Sequence, residues 1–326
     1  MTAASLLHNE SRHFRLQPTG LPSLDALLGG GARCGGVYEF CSTAGGGATI
    51  AALSCAARAA LDGGAALVIS TTTEPVGARV LAMLEATAAA RARVAGADAH
   101  GGARHAFREA LPRAAAEFVA AGGGDADAAE AALRADVAGA SSREASEAAA
   151  DVWVAQALDI GRVNAVLDAL DVALADPTSP AALKPLRVVV LVGLANVIYP
   201  VLGGARNVVG HAALTALGAR LHALTHAHAI AALVTNAAVP DKDFGAKEER
   251  FGSGGGGGGA PTPMQRAGLG LTWALVPDVS VLISRASTLD GRADVLHASI
   301  LKDRAPPAVC GENMGSQPGD VITDEL

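Results

Sequence analysis

The chain has 326 residues, enough for one large α/β domain or two small ones, and its formal net charge of -7 excludes a strongly basic nucleic-acid binder, though not a local basic patch. Hydrophobic residues make up 50% but aromatics only 3%, so the expected core is built from Ala, Val and Leu with few large anchors. The four cysteines (Cys34, Cys41, Cys55 and Cys310) form no CxxC pair and residues 1–15 hold no apolar signal core, so reduced buried thiols in a protein that is not secreted are expected.

In chain order, residues 1–18 read as a flexible tail and 19–326 as one core domain. Residues 21–28 predict a short helix. Leu24, Leu27 and Leu28 share a face, Pro22 and Ser23 stand at its start, and three glycines end it. A β-rich run, 36–41 (GVYEFC), leads into a glycine-rich turn, 42–47, and an Ala-rich helix, 49–61. A buried strand at 65–70 and a helix from 76 to about 94 follow.

Residues 95–150 are dominated by Ala, Gly, Asp, Glu and Arg and read as a poorly packed insertion, with helical pieces around 104–121 and 127–137. Strand 151–157 and helix 160–175 resume the alternation. Residues 186–192 (LRVVVLV) are the clearest buried strand. The wider apolar stretch 186–205 contains Arg187, Pro200 and three glycines and reads as this strand and a following loop, not as a membrane span. Helix 212–228 and strand 229–235 come next. A mobile glycine-rich loop is expected at 241–266, and antiparallel strands at 271–284 and 294–302. Repeated strand–helix units predict a mostly parallel central sheet flanked by helices, with C-terminal antiparallel strands.

One junction carries the chemistry. A phosphate-gripping loop joins a strand to a helix through GxxxxGK[ST], in which backbone N–H groups and a lysine hold phosphate and the hydroxyl ligates magnesium. Here the turn reads Ser42-Thr43-Ala44-Gly45-Gly46-Gly47-Ala48-Thr49. Ser42 stands at the first glycine, Ala48 at the lysine, and Thr49 keeps the hydroxyl.

The segment ahead of this turn, Thr19-Gly20-Leu21-Pro22-Ser23-Leu24-Asp25-Ala26-Leu27-Leu28-Gly29-Gly30-Gly31, strongly resembles the one that leads into the core of RecA/RadA-type recombinases, the eukaryotic-type strand-exchange proteins and their paralogues included. Further segments fall in the same order. Ser70–Glu74 is similar to the family's IDTEG strand end, which puts Glu74 at the position of the water-activating glutamate. Leu186–Leu194 resembles the metal-binding strand, with Gly193 at the aspartate position of a degenerate Walker B motif. Leu233–Val239 is similar to VITNQV, and Gly268–Trp273 to the PALGxxW segment of the paralogues. The resemblance covers most of residues 19–322 outside the insertion and sets in at Thr19, with no small helical domain expected before it.

It implies a RecA-like P-loop NTPase core with degenerate Walker A and Walker B motifs: a non-hydrolysing paralogue acting in homologous-recombination DNA repair. Its implied partners are other recombinase-family subunits in a hetero-oligomer, single-stranded DNA bound weakly if at all, and no membrane. Its implied location is the nucleus if the cell is eukaryotic and otherwise the cytoplasm. No tightly held cofactor is expected, and weak ATP/Mg binding by the Gly45–Thr49 backbone stays open because amides and a helix dipole need no side chain. Without the lysine and the aspartate, charge stabilisation at the phosphoryl group is missing, and Glu74 alone cannot supply it. Lysine at 48 and aspartate at 193 together are the expected minimal repair. The alternative is a divergent DNA-dependent ATPase that completes its site with a partner subunit. A Rossmann oxidoreductase is disfavoured, since Gly45-Gly46-Gly47 lacks GxGxxG spacing.

Other residues receive structural readings. His222 and His226 stand i, i+4 on a helix, but no further ligand completes a zinc set, so they read as a solvated face. Glu39 reads as a structural carboxylate. Lys242, Lys247, Arg250 and Arg266 frame the glycine-rich loop that resembles the family's second DNA-contacting loop, but neighbouring acids nearly neutralise it.

Overall fold

A computed structural model describes residues 15–98, 142, 144–176, 185–203, 207–240, 265–287, 294–304 and 321–325. Two short strands, β1 (Leu16–Gln17) and β2 (Ala32–Arg33), pair antiparallel around helix α1 (Pro22–Leu27), which buries Leu24 and Leu27. Strand β3 (Val37–Ser42) then enters the sheet, followed by α2 (Ala48–Leu61), β4 (Ala65–Ser70) and α3 (Val76–Asp98). The middle of the chain supplies β5 (Val152–Gln156), α4 (Ile160–Ala175), β6 (Leu186–Val192), α5 (Leu194–Ile198), α6 (Asn207–His228) and β7 (Ala231–Pro240). The C-terminal part supplies β8 (Gln265–Ala267), α7 (Gly270–Ala274), β9 (Val279–Ser287), β10 (Asp294–Asp303) and β11 (Val321–Glu325).

Among the described residues these build a nine-stranded sheet in the order β11-β10-β9-β3-β7-β6-β4-β5, with β8 on β7. From β9 to β5 every neighbouring pair is parallel, whereas β10, β11 and β8 run antiparallel to their partners. The chain is therefore an α/β protein with a mostly parallel central sheet, helices on both faces and antiparallel C-terminal strands. All five strands expected between residues 36 and 235 lie in it.

Period-two alternation sorts the strands onto two cores. Tyr38 and Phe40 of β3, Val188, Val190 and Val192 of β6, and Val279, Val281 and Ile283 of β9 face the side covered by α2 and α3. Val37, Val189, Leu191, Ala232 and Val234 face the opposite side, with α4, α5, α6 and Trp273. The alanines of α2 explain its close seat: Ala51, Ala52, Ala56, Ala57 and Ala59 are fully buried, so the backbone lies near the sheet. Asp159 caps α4, its carboxylate accepting the Arg162 N–H at 2.8 Å.

Several expectations need correction. Residues 271–284 are not one strand. The chain turns at Leu269 (φ 66°) and Gly270 (φ 71°), forms α7, and enters β9 only at Val279. A short apolar run such as LTWALV does not reveal its own period, and the burial of Trp273 favours a helical turn here. The segment after β6, expected as loop, contains α5. At the ends of the 95–150 segment, α3 continues to Asp98, and residues 144–149 are helical with Ala145 and Ala148 in the core. Residues 265 and 266 of the expected mobile loop belong to β8, which includes Arg266. The helical pieces expected at 104–121 and 127–137 lie outside the described residues.

Candidate functional site

The glycine-rich turn sits at the carboxyl end of β3, which is hydrogen-bonded to β7 on one side and β9 on the other. Gly45 (φ 76°) and Gly47 (φ 101°) take left-handed conformations that glycine adopts without strain. A Cβ at Gly46 would lie 2.8 Å from Ser42 Cβ, and one at Gly47 would meet Leu296 of β10. Gly47 then serves as the N-cap of α2.

Beside the turn is a cavity of about 420 Å³, lined by Ser42, the Gly45–Thr49 backbone, Leu53 of α2 and Met83 of α3. Two cations line it as well, Arg79 from α3 and Arg285 from β9. The places of the sequence-selected residues are then clear. Ser42, Gly45, Gly46, Gly47, Ala48 and Thr49 come together on its wall. Ser42 Oγ accepts the Ala48 N–H at 3.4 Å, so one amide of the turn is turned inward to its own strand. Glu74 does not line the cavity. It is exposed and pairs with Arg79, Oε2 to Nη2 at 2.8 Å.

Arg33 and Arg58, the arginines nearest the turn along the chain, do not line the cavity. Arg58 instead pairs with Asp62 at 2.9 Å. Arg79 and Arg285 were missed because their nearness depends on sheet register. Cys41 of β3 stands opposite Leu282 of β9, so β9 runs past the end of β3 and alongside the turn. Residues 279, 281 and 283 face the α2 side, and Arg285 continues that row. The one available signal for Arg79 is its spacing from Ala82 and Met83, which places all three on one face of α3.

The second corner, after β6, has a different character. Gly193 takes φ 78° and ψ 46° and caps α5. Its N–H donates to Thr235 Oγ1 at 2.8 Å, and Thr71 Oγ1 lies 2.7 Å from its carbonyl and 2.8 Å from that of Val192. Asn196 Nδ2 donates to Thr71 Oγ1 at 3.2 Å. A Cβ at 193 would stand 2.7 Å from Asn196 Nδ2 and 2.9 Å from Thr71 Oγ1. An aspartate there is strained by the positive φ and must displace Asn196 Nδ2 and Thr71 Oγ1, which counts against the simple two-site repair expected from the sequence.

Beneath the turn, Glu39 is fully buried. Its Oε1 accepts from Trp273 Nε1 at 2.7 Å and Asn236 Nδ2 at 2.8 Å, and its Oε2 from Ser280 Oγ at 2.8 Å. Three neutral donors thus hold one carboxylate and tie β3, β7, β9 and α7 together, a structural role. Burial, reinforced by Glu39, pushes the neighbouring Cys41 thiol up, and burial does the same to Cys55; both stay protonated at neutral pH.

The histidines also join elements. His222 Nε2 lies 2.8 Å from the Val276 carbonyl, and His228 Nε2 lies 2.7 Å from Asp171 of α4. Among the described residues no cluster of His, Cys, Asp or Glu could hold a metal ion, and no helix is long and apolar enough to cross a membrane. Lys242, Lys247 and Arg250 lie outside the described residues, as does Cys310. No protein-family model matches the chain, and no curated protein matches it.

Proposed function

We propose that this chain is a non-hydrolysing paralogue of RecA/RadA-type recombinases, a pseudo-ATPase with a RecA-like P-loop core. It acts in homologous-recombination DNA repair, in the nucleus if the cell is eukaryotic and otherwise in the cytoplasm, by assembling with related subunits and supporting recombinase loading on single-stranded DNA. The process and partners rest on the resemblance of the TGLPSLDALLGGG, TTTE, VTNA and GLGLTW segments.

The observation that carries the biochemical part is the turn itself. A strand–glycine turn–helix junction at the carboxyl end of a strand with parallel neighbours has alanine at the lysine position, with that alanine's N–H directed to Ser42. The metal-side corner adds to it, since Gly193 is locked by Thr71 and Thr235 with no carboxylate among these partners. Positioned charge is nearly the whole of phosphoryl-transfer catalysis, and both of its usual sources are missing.

Steady-state ATP hydrolysis by the full chain, with and without single-stranded DNA, tests the reading. The expected rate equals that of the Thr49→Ala variant in both conditions. Turnover that DNA stimulates and Glu74→Gln abolishes refutes it and favours the divergent ATPase.

A further inference from the structure

We infer that the cavity beside the turn binds a polyphosphate without magnesium, with Arg79 and Arg285 supplying the positive charge. This rests on reading the turn as a relic nucleotide site, and it adds the ligand's charge state and the residues that meet it.

A helix N-terminus alone would not define such a site. The cavity wall adds guanidinium groups from two separate elements, one on α3 and one on β9, together with the hydroxyls of Ser42 and Thr49. Among the described residues no aspartate or glutamate lines it. Two guanidinium groups in the wall of one space of about 420 Å³ offer an anion charge-assisted contacts from two sides. Arginine suits the task because its planar fork meets two oxygens of a phosphate at once and never loses its charge.

The same wall is poorly suited to magnesium. That ion keeps a near-octahedral shell and is held through one or two carboxylates as well as phosphates. Among the described residues the cavity offers none, and the corner from which the family's aspartate would reach is closed around Gly193. The positive charge a metal would contribute comes instead from protein side chains. Glu74 competes for one of them, since its carboxylate holds Arg79 at the cavity rim. The cavity lies within the size range of small-ligand pockets, and Leu53, Ile50 and Met83 give it an apolar wall.

Calorimetric titration of the full chain with ATP, ADP, AMP, pyrophosphate and inorganic phosphate, each in excess EDTA and again in magnesium, tests the inference. ATP, ADP and pyrophosphate should bind within about twofold of the same affinity in the two conditions, and AMP and phosphate about tenfold more weakly, because fewer charge-assisted contacts form. Pyrophosphate matching ADP identifies the ligand as the bare polyphosphate, whereas ADP binding more tightly identifies a nucleotide on the apolar wall. Arg79→Gln and Arg285→Gln should each weaken binding about tenfold, and Glu74→Gln should strengthen it. Arg162→Gln, on the exposed surface of α4 and paired with Asp159, should leave it unchanged. Arg79 and Arg285 are exposed, so both variants should keep the parent melting temperature, read on the same samples.

Binding that needs magnesium overturns the inference, as does binding indifferent to both arginine variants. No saturable binding at millimolar ligand also overturns it, while leaving the non-hydrolysing reading intact. ATP turnover accompanied by metal-free, arginine-dependent binding does the reverse.

Discussion

Two corners at the carboxyl edge of one sheet, after β3 and after β6, both lack the side chain that the family resemblance puts there, and they lack it in different ways. At Ala48 the side chain has shortened and space remains, and two arginines stand in the wall of that space. At Gly193 the backbone itself has changed: φ is positive, and Thr71, Asn196 and Thr235 occupy the surroundings. The first corner is an open surface beside a cavity. The second is a closed joint, held by side-chain hydrogen bonds across β4, β6 and β7. Loss of a charged residue therefore says little until the neighbours are known, because an emptied site and a rebuilt one read alike in sequence.

The sharpest way to break this contrast is Gly193→Asp. Left-handed strain on a residue with a Cβ costs about 1–3 kcal/mol. The contacts at 2.7 and 2.9 Å to Asn196 and Thr71 add to it, so a loss of roughly 3 kcal/mol or more is expected in urea denaturation. Gly193→Ala separates the backbone part from the carboxylate. An unchanged urea midpoint in both would mean that the corner is open like the turn, and the contrast fails.

A smaller effect is expected from Thr71→Val, which removes the hydroxyl shared by the carbonyls of Val192 and Gly193 and the acceptor for Asn196. Both carbonyls keep a backbone donor, Thr71 N–H for Val192 and Asn196 N–H for Gly193, and Asn196 is exposed, so the loss is that of a hydrogen bond and about 1 kcal/mol is expected by the same measurement. Thr43→Val in the exposed turn is the control and should cost less than about 0.5 kcal/mol. Equal losses from the two substitutions would erase the distinction between a closed joint and an open surface.

The parts of this molecule that could be read from sequence are those whose signal is local. The run Leu186–Val192 is apolar at six of its seven positions because both faces of β6 are covered, and its bounds come out as expected. Helix Ile160–Ala175 carries its period in Val163, Leu167 and Leu170 and its own cap in Asp159. The turn was legible from its glycines. What was not legible depends on register between distant strands. Arg285 reaches the turn because β9 adds beside β3, and Glu39 owes its partners Asn236, Trp273 and Ser280 to three other elements. Nothing in the one-dimensional pattern reveals that Gly193 bends left-handed under Thr71, and an aspartate looked restorable there for that reason. Helix α7 was read as strand because its buried tryptophan answers to Glu39 and not to any period of its own.

The smallest change in stability is expected from Ala48→Lys, and it bears on the open corner most directly. Ala48 is buried as a residue, yet it borders the cavity, so a longer side chain has somewhere to go. Alanine to lysine costs only a few tenths of a kcal/mol in helix propensity, and a change below about 1 kcal/mol is expected. The new ammonium shares the space with Arg79 and Arg285, and mutual repulsion limits what it adds to anion binding. Pyrophosphate affinity in EDTA should therefore rise about threefold to tenfold, less than a phosphate-binding lysine contributes in a site without other cations. ATP turnover should stay at the parent level, because the added charge does nothing for the closed metal-side corner. A large destabilisation would show that the cavity cannot admit a side chain from position 48. Turnover appearing in this single variant would show that charge at the turn was the only thing missing, and that the Gly193 corner never limited the chemistry.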